Sequence, residues 1–126
     1  MATVIDYFLA VEASSREAID RIATIGKGAG IDLGPALCML SRRFDLLEET
    51  GVNVDAATFA TEFGRDLEYY SGLVFQIEVG GDKTSPIAGG GRYDGLLRSV
   101  GARAEVPAVG SAIHTERLLA SVKGFA

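Results

Sequence analysis

The sequence predicts an α+β fold in which an antiparallel sheet is flanked by helices, and three observations carry that expectation. Helical periodicity dominates residues 14–49, period-two alternation begins near Ala57, and glycine-rich turns separate the alternating segments. Helices followed by hairpin-connected strands favour an antiparallel sheet over the parallel sheet built from repeated strand–helix–strand units. A chain of 126 residues is expected to form one domain, mainly helical over 1–56 and made of strands and helices over 57–126.

Taken in order, Ser14-Ser15-Arg16-Glu17 has the form of a capping box. Ala18, Ile19, Ile22, Ala23 and Ile25 then recur at helical spacing, so a helix is predicted over 14–30, ended by Gly28 and Gly30. Pro35 suits a first helical turn; Leu37, Leu40, Phe44 and Leu47 share one face, and Gly51 supplies the stop, which predicts a second helix over 35–49. Cys38 falls within it and reads as a small core thiol. Phe59, Thr61 and Phe63 alternate until Gly64 interrupts them, and residues 73–79, LVFQIEV, form the clearest strand pattern in the chain. Residues 80–85 read as a hairpin loop and 86–89 as the returning strand. A helix over 92–100, a strand over 106–113 and a helix through Glu116, Arg117, Leu118, Leu119 and Val122 complete the pattern.

Composition limits the functions available. Glycine accounts for 16 of the residues, roughly 13% against an ordinary usage of about 7%. Five of these lie in residues 1–63 and eleven in 64–126, while the first half holds ten acidic and five basic residues and the second seven of each. The net charge of −5 therefore belongs entirely to the first half. A pI near 4.8 argues against a broad nucleic-acid footprint, which needs a basic face. The apolar runs are too short to cross a bilayer, which takes about 20 residues, and the first 15 residues lack the basic region of a secretory signal, so a cytoplasmic setting is expected. With one cysteine and one histidine, Cys38 and His114, no disulfide framework or zinc cluster is expected.

The chemistry-bearing residues concentrate in the second half. Gly89-Gly90-Gly91-Arg92 lacks the spacing of a phosphate-binding loop; it offers a strand end without side-chain bulk, read either as a bulge or turn or as a place where a ligand approaches backbone. Arg65, Arg92 and Arg117 sit at element junctions, and each is open to two readings: surface ion-pair partner, or planar clamp for an anionic group. Their placement beside glycines and tyrosines, in residues 65–72 and 91–95, favours a pocket for a small anionic or zwitterionic ligand, with tyrosines as flat walls. Glu68 and Asp94 are candidate acceptors for an ammonium or imidazole proton. No nucleophile, base and orienting acid form a recognisable triad, the carboxylate clusters read as solvated helix surface, and His114 reads as a packed core or rim residue.

These segments carry a family resemblance. Residues 65–75, RDLEYYSGLVF, resemble the histidine-specific motif of histidyl-tRNA synthetases, usually R-G-L-D-Y-Y-T-G-x-V-F-E. Residues 87–96, IAGGGRYDGL, resemble the family's A-G-G-G-R-Y-D-x-L, and residues 107–118, PAVGSAIHTERL, are similar to class II motif 3, usually P-A-V-G-F-A-x-G-x-E-R-L. The resemblance implies a partial class II aminoacyl-tRNA synthetase-like domain. Carried over by position, Arg65, Tyr69, Tyr70 and Tyr93 line a histidine pocket floored by Gly89, Gly90 and Gly91, while Gly110 and Arg117 mark a vestigial nucleotide site.

The departures point away from aminoacylation. His114 stands where motif 3 has its second glycine, and Asp66 replaces the glycine after the first arginine of the histidine motif. Motifs 1 and 2 are not found, and no anticodon-binding domain follows Arg117. These departures resemble the synthetase paralogues that serve as regulatory subunits of the short-form ATP phosphoribosyltransferase, the first enzyme of histidine biosynthesis. That resemblance implies a non-catalytic protein without cofactor or metal, a catalytic transferase subunit as partner, histidine as feedback effector and a homo-oligomer, with no membrane or nucleic-acid partner. It further implies that residues 1–126 are the C-terminal part of a longer synthetase-like domain, leaving apolar side chains between Phe59 and Phe75 exposed for association. The alternative is a fragment of a histidyl-tRNA synthetase catalytic domain.

Overall fold

A computed structural model describes residues 3–64 and 69–124. The chain divides into two compact units, residues 1–63 and 64–126, and the division falls where the glycine and charge distributions change.

The first unit is helical with a short ladder. Thr3 and Asp6 cap α1 (Val4–Leu9) reciprocally, the Thr3 hydroxyl accepting from the Asp6 amide at 3.2 Å. After it, β1 (Glu12–Ser14) pairs antiparallel with β2 (Thr58–Ala60), Ala13 opposite Phe59. Helices α2 (Ser15–Ala29) and α3 (Gly34–Glu49) follow the predicted spans closely, with Pro35 in the first turn of α3 and Gly30 capping α2 at φ 70°. Val11, Ala18 and Ile22 form the buried centre, against which Ala13, Ile25, Leu33, Leu37 and Phe59 pack. The buried Phe44 meets Phe59 edge to face with ring centroids 6.3 Å apart, and Val54, in a 3₁₀ turn over Val54–Ala56, is also buried. Arg16 on α2 reaches Asp45 and Glu48 on α3 at 3.0 and 2.7 Å.

Several local expectations change here. Ser14 precedes α2, but its hydroxyl makes no cap bond, because Ser14 already belongs to the β1 ladder. The buried Ser15 hydroxyl instead donates to the Ala57 carbonyl at 3.4 Å. Gly28 lies inside α2 and does not end it. Cys38 is exposed, one position round the helix from the packed Leu37. Phe59 is occupied by the core, so association through it is not available; the exposed apolar side chains nearby in sequence are Phe75 and Ile77.

The second unit is a three-stranded antiparallel sheet in the order β3 (Val74–Ile77), β4 (Ala88–Arg92), β5 (Val109–Ile113). The loop between β3 and β4 turns through Gly80 and Gly81, both at positive φ, and the Asp82 carboxylate accepts from the Thr84 amide and hydroxyl at 2.9 and 2.6 Å. The predicted helix over 92–100 contracts to α4 (Leu96–Ser99), because Arg92 completes β4. Finally α5 (Thr115–Lys123) follows β5, with His114 exposed at its N-cap, contrary to the packed position expected of it. The largest revision concerns Gly89-Gly90-Gly91: the run is neither a turn nor a strand end but the buried middle of the central strand. Among the described residues no helix is long and apolar enough to cross a membrane.

Candidate functional site

Residues directly opposite one another in an antiparallel ladder point to the same face. Val74, Gly91 and Gly110 therefore form one row, and Gln76, Gly89 and Ala112 the next row on that same face. Three of these six positions are glycine and one is alanine, so the sheet presents a nearly bare shelf. Phe75, Gly90 and Ser111, and then Ile77, Ala88 and Ile113, occupy the opposite face.

Tyrosine rings lie on the bare shelf. A Cβ at Gly91 would sit 2.8 Å from the Tyr70 ring and 2.5 Å from the Leu73 carbonyl oxygen, and one at Gly110 would strike the Tyr93 hydroxyl. Gly90 is needed for a different reason, since a Cβ there would strike the Gly110 carbonyl oxygen and lie 2.7 Å from Ser111 Cα. Two of the glycines thus make room for tyrosines, and the third lets β4 and β5 approach. Tyr69, Tyr70 and Tyr93 cluster, with centroids 4.7 Å apart for the first pair, 5.4 Å for Tyr69 and Tyr93, and 6.2 Å for Tyr70 and Tyr93. The Tyr69 and Tyr93 rings meet at 87°, the edge-to-face arrangement that aromatic quadrupoles favour.

A cavity of about 200 Å³ lies between these rings and the strands, walled by Tyr69, Tyr70 and Tyr93 and by Gly89, Gly110, Ser111 and Ala112. Tyr93 is held by its backbone, whose amide donates to the Ala108 carbonyl at 2.8 Å. Its neighbour Asp94 fastens the same loop. The Asp94 amide donates to the Ser71 hydroxyl at 2.9 Å, and its two carboxylate oxygens accept from Arg92 Nε at 2.7 Å and the Ala108 amide at 3.0 Å. The Arg92 guanidinium first, and then the Ala108 amide, hold the Asp94 carboxyl below the usual carboxylate range.

Of the residues singled out from sequence, the structure brings together Tyr69, Tyr70, Tyr93, Gly89 and Gly110 around one cavity, with Gly90 and Gly91 in the strand beneath. Arg92 is an ion-pair partner of Asp94, and both Asp94 oxygens are engaged by its own chain instead of facing a ligand. Arg117 is not in the cavity wall; its Nη1 donates to the Pro86 carbonyl at 3.0 Å, which ties α5 to the start of the returning segment. Arg65, Asp66 and Glu68 lie outside the described residues. Sequence reasoning missed Ser111 and Ala112, whose contribution depends on register between strands that are not adjacent along the chain.

A sequence profile of the histidyl-tRNA synthetase family matches residues 8–118. The chain belongs to the histidyl-tRNA synthetase family. Within the family, the chain is 40% identical over 111 residues to a protein of Allorhizobium ampelinum named ATP phosphoribosyltransferase regulatory subunit, covering 88% of this chain and 30% of that protein. Proteins of the same name from Agrobacterium fabrum and Mesorhizobium japonicum are 40% identical over 114 residues and 38% over 111. Their coverage is 90% and 88% of this chain, and 30% of each relative. The crystal structure of a histidine–tRNA ligase subunit from Alicyclobacillus acidocaldarius is 37% identical and superposes with a TM-score of 0.57 over 86% of this chain and 28% of that one. The chain thus spans about a third of the length of the curated relatives it matches.

Proposed function

We propose that this chain forms part of a regulatory subunit of ATP phosphoribosyltransferase, a synthetase paralogue without catalytic chemistry that binds histidine and works with the catalytic transferase subunit. The observation that carries this reading is the 40% identity, across 88 and 90% of the chain, to two proteins of that name. The cavity supports the ligand part. At about 200 Å³ it falls below the ~300–1,000 Å³ typical of drug-sized ligands and suits a single amino acid. Three phenol rings offer an imidazole a stacking wall, with the Tyr93 hydroxyl lying over Gly110 as a polar group. Feedback then requires only that histidine bind one state of the assembly more tightly than another, by about 1–3 kcal/mol. The exposed Phe75 and Ile77 are available for subunit association.

The test is transferase activity of the catalytic subunit, measured with and without the full-length version of this protein over a range of histidine concentrations. Histidine-dependent inhibition that requires the full-length protein is expected, and its absence overturns the reading. A second reading, a piece of a working histidyl-tRNA synthetase, is favoured by the likeness to the Alicyclobacillus ligase subunit. Histidine-dependent ATP–pyrophosphate exchange by the full-length protein would establish that reading instead.

A further inference from the structure

The sheet of the second unit ends on an edge that no described residue pairs with. β5 is bonded to β4 alone, and the bonds that bracket this ladder set its phase: the His114 amide donates to the Ile87 carbonyl and the Tyr93 amide to the Ala108 carbonyl, both at 2.8 Å. The backbone groups of Gly110 and Ala112 therefore turn inward to β4, and those of Val109, Ser111 and Ile113 turn outward to the open edge. No hydrogen bond from a described residue reaches the outward N–H and C=O groups.

The strand carries none of the features that keep an edge from pairing. Val109-Gly110-Ser111-Ala112-Ile113 has no charged residue, proline or bulge, and Val109 and Ile113 are 73 and 59% exposed. Its outward residues are also symmetric about Ser111. Laid antiparallel against a second copy, with the two Ser111 residues opposite each other, β5 sets Val109 against the partner's Ile113 and Ile113 against the partner's Val109. Every outward N–H then meets an outward carbonyl. β-branched pairs and a pair of hydroxyls, combinations that stabilise a ladder, stand across the join, and no like charges meet. A shift by one residue sets outward groups against inward ones and leaves them unpaired.

We propose that β5 is a homodimer interface, in which two copies join edge to edge about a two-fold axis at Ser111 and form one continuous antiparallel sheet. The join adds to the cavity as well as to the fold. Gly110 and Ala112 wall the cavity and face the tyrosine side of the sheet; in this register they stand opposite the partner's Ala112 and the partner's Gly110, which extend the bare floor. On the other face, the exposed Phe75, Ile77, Val109 and Ile113 of both copies become one apolar surface.

The experiment is sedimentation equilibrium of the 126-residue chain, which is expected to show a dimer. Val109→Lys and Ile113→Glu are each expected to weaken it about tenfold, and the double variant to restore it to within about threefold, because each lysine then faces the partner's glutamate. Both side chains are exposed in the single chain, so these changes leave its own packing intact. Disulfide trapping reads the register separately. Opposed Cα atoms of a bonded pair lie about 5.5 Å apart, within the roughly 4.4–6.8 Å that a disulfide spans, whereas the two Val109 residues would be roughly 14 Å apart along the strands. In a Cys38→Ser background, Ser111→Cys is therefore expected to oxidise to a covalent dimer about tenfold faster than Val109→Cys. A monomeric wild type, a double variant that does not recover, or equal trapping at the two positions would overturn the proposal. So would a full-length protein that stays monomeric with the Val109, Ser111 and Ile113 amides protected from hydrogen exchange, since another strand of its own chain would then hold the edge.

Discussion

The two halves of the chain solve different physical problems. Residues 1–63 bury aliphatic and aromatic side chains between two helices and a short ladder, and brace the helices with Arg16 against Asp45 and Glu48. Residues 64–126 bury the glycines and one alanine of a central strand, and leave Phe75, Ile77, Val109 and Ile113 exposed. In the first half side-chain volume makes the structure; in the second the absence of side chains does, because bare backbone is what admits Tyr70 and Tyr93 onto a sheet. A residue type that is a minor cost in one half is therefore a steric requirement in the other.

The largest expected effect lies in the helical half. Phe44→Ala removes a buried ring in contact with Phe59 and is expected to destabilise the protein by about 3–5 kcal/mol, read from urea unfolding. Next comes the smallest side chain that can be added to the shelf. Gly91→Ala would place a Cβ 2.5 Å from the Leu73 carbonyl oxygen, a backbone atom that cannot rotate away, and is expected to cost roughly 1–3 kcal/mol and to weaken ligand binding by displacing Tyr70. Equal stability of Gly91→Ala and wild type would remove the distinction between the halves.

The helical half is legible because its signals are local. Leu37, Leu40, Phe44 and Leu47 repeat at a helix period, and Pro35, Gly30 and Gly51 punctuate within a few residues of where the helices begin and end. What escapes a reading of the residues there is long-range: β1 is three residues long and takes its conformation from β2, with Ala13 paired to Phe59. The central strand is illegible for a related reason. Gly89-Gly90-Gly91 has no alternation to detect, and only the ladders to β3 and β5 on either side make it a strand. The tyrosines and glycines of the cavity are visible as motifs, yet their relation is not: the sequence suggests glycines that give clearance to a ligand, whereas Gly91 and Gly110 give clearance to Tyr70 and Tyr93.

The same substitution should change sign between the halves. Gly28 lies within α2 with nothing within 4 Å of an added Cβ, so Gly28→Ala is expected to stabilise by about 0.5–1 kcal/mol through helix propensity. A thermal melt of Gly28→Ala beside Gly91→Ala reads both signs in one experiment.

A pH dependence sharpens the contrast further. The Asp94 carboxyl is held below its ordinary value of 3.8 by Arg92 and then by the Ala108 amide. A carboxyl depressed in the folded state stabilises it above the unfolded value, and that contribution is lost as pH falls through the folded one. Wild type and Asp94→Asn should therefore differ in stability at pH 6 and converge as the pH drops below about 4. A gap that stays constant from pH 6 to 3 would show that the carboxylate charge does not hold the Tyr93 loop.

Three of the four tyrosines in the chain surround the cavity, and there is no tryptophan, so intrinsic emission reports mainly on the proposed site. The most direct measurement is a histidine titration of the full-length protein followed by tyrosine emission, with Tyr93→Ala in parallel. A saturable change with one histidine bound per chain, weakened tenfold or more in Tyr93→Ala, is the expected result; no saturable change in wild type, or the same affinity in both proteins, would contradict a ligand site on the tyrosine shelf.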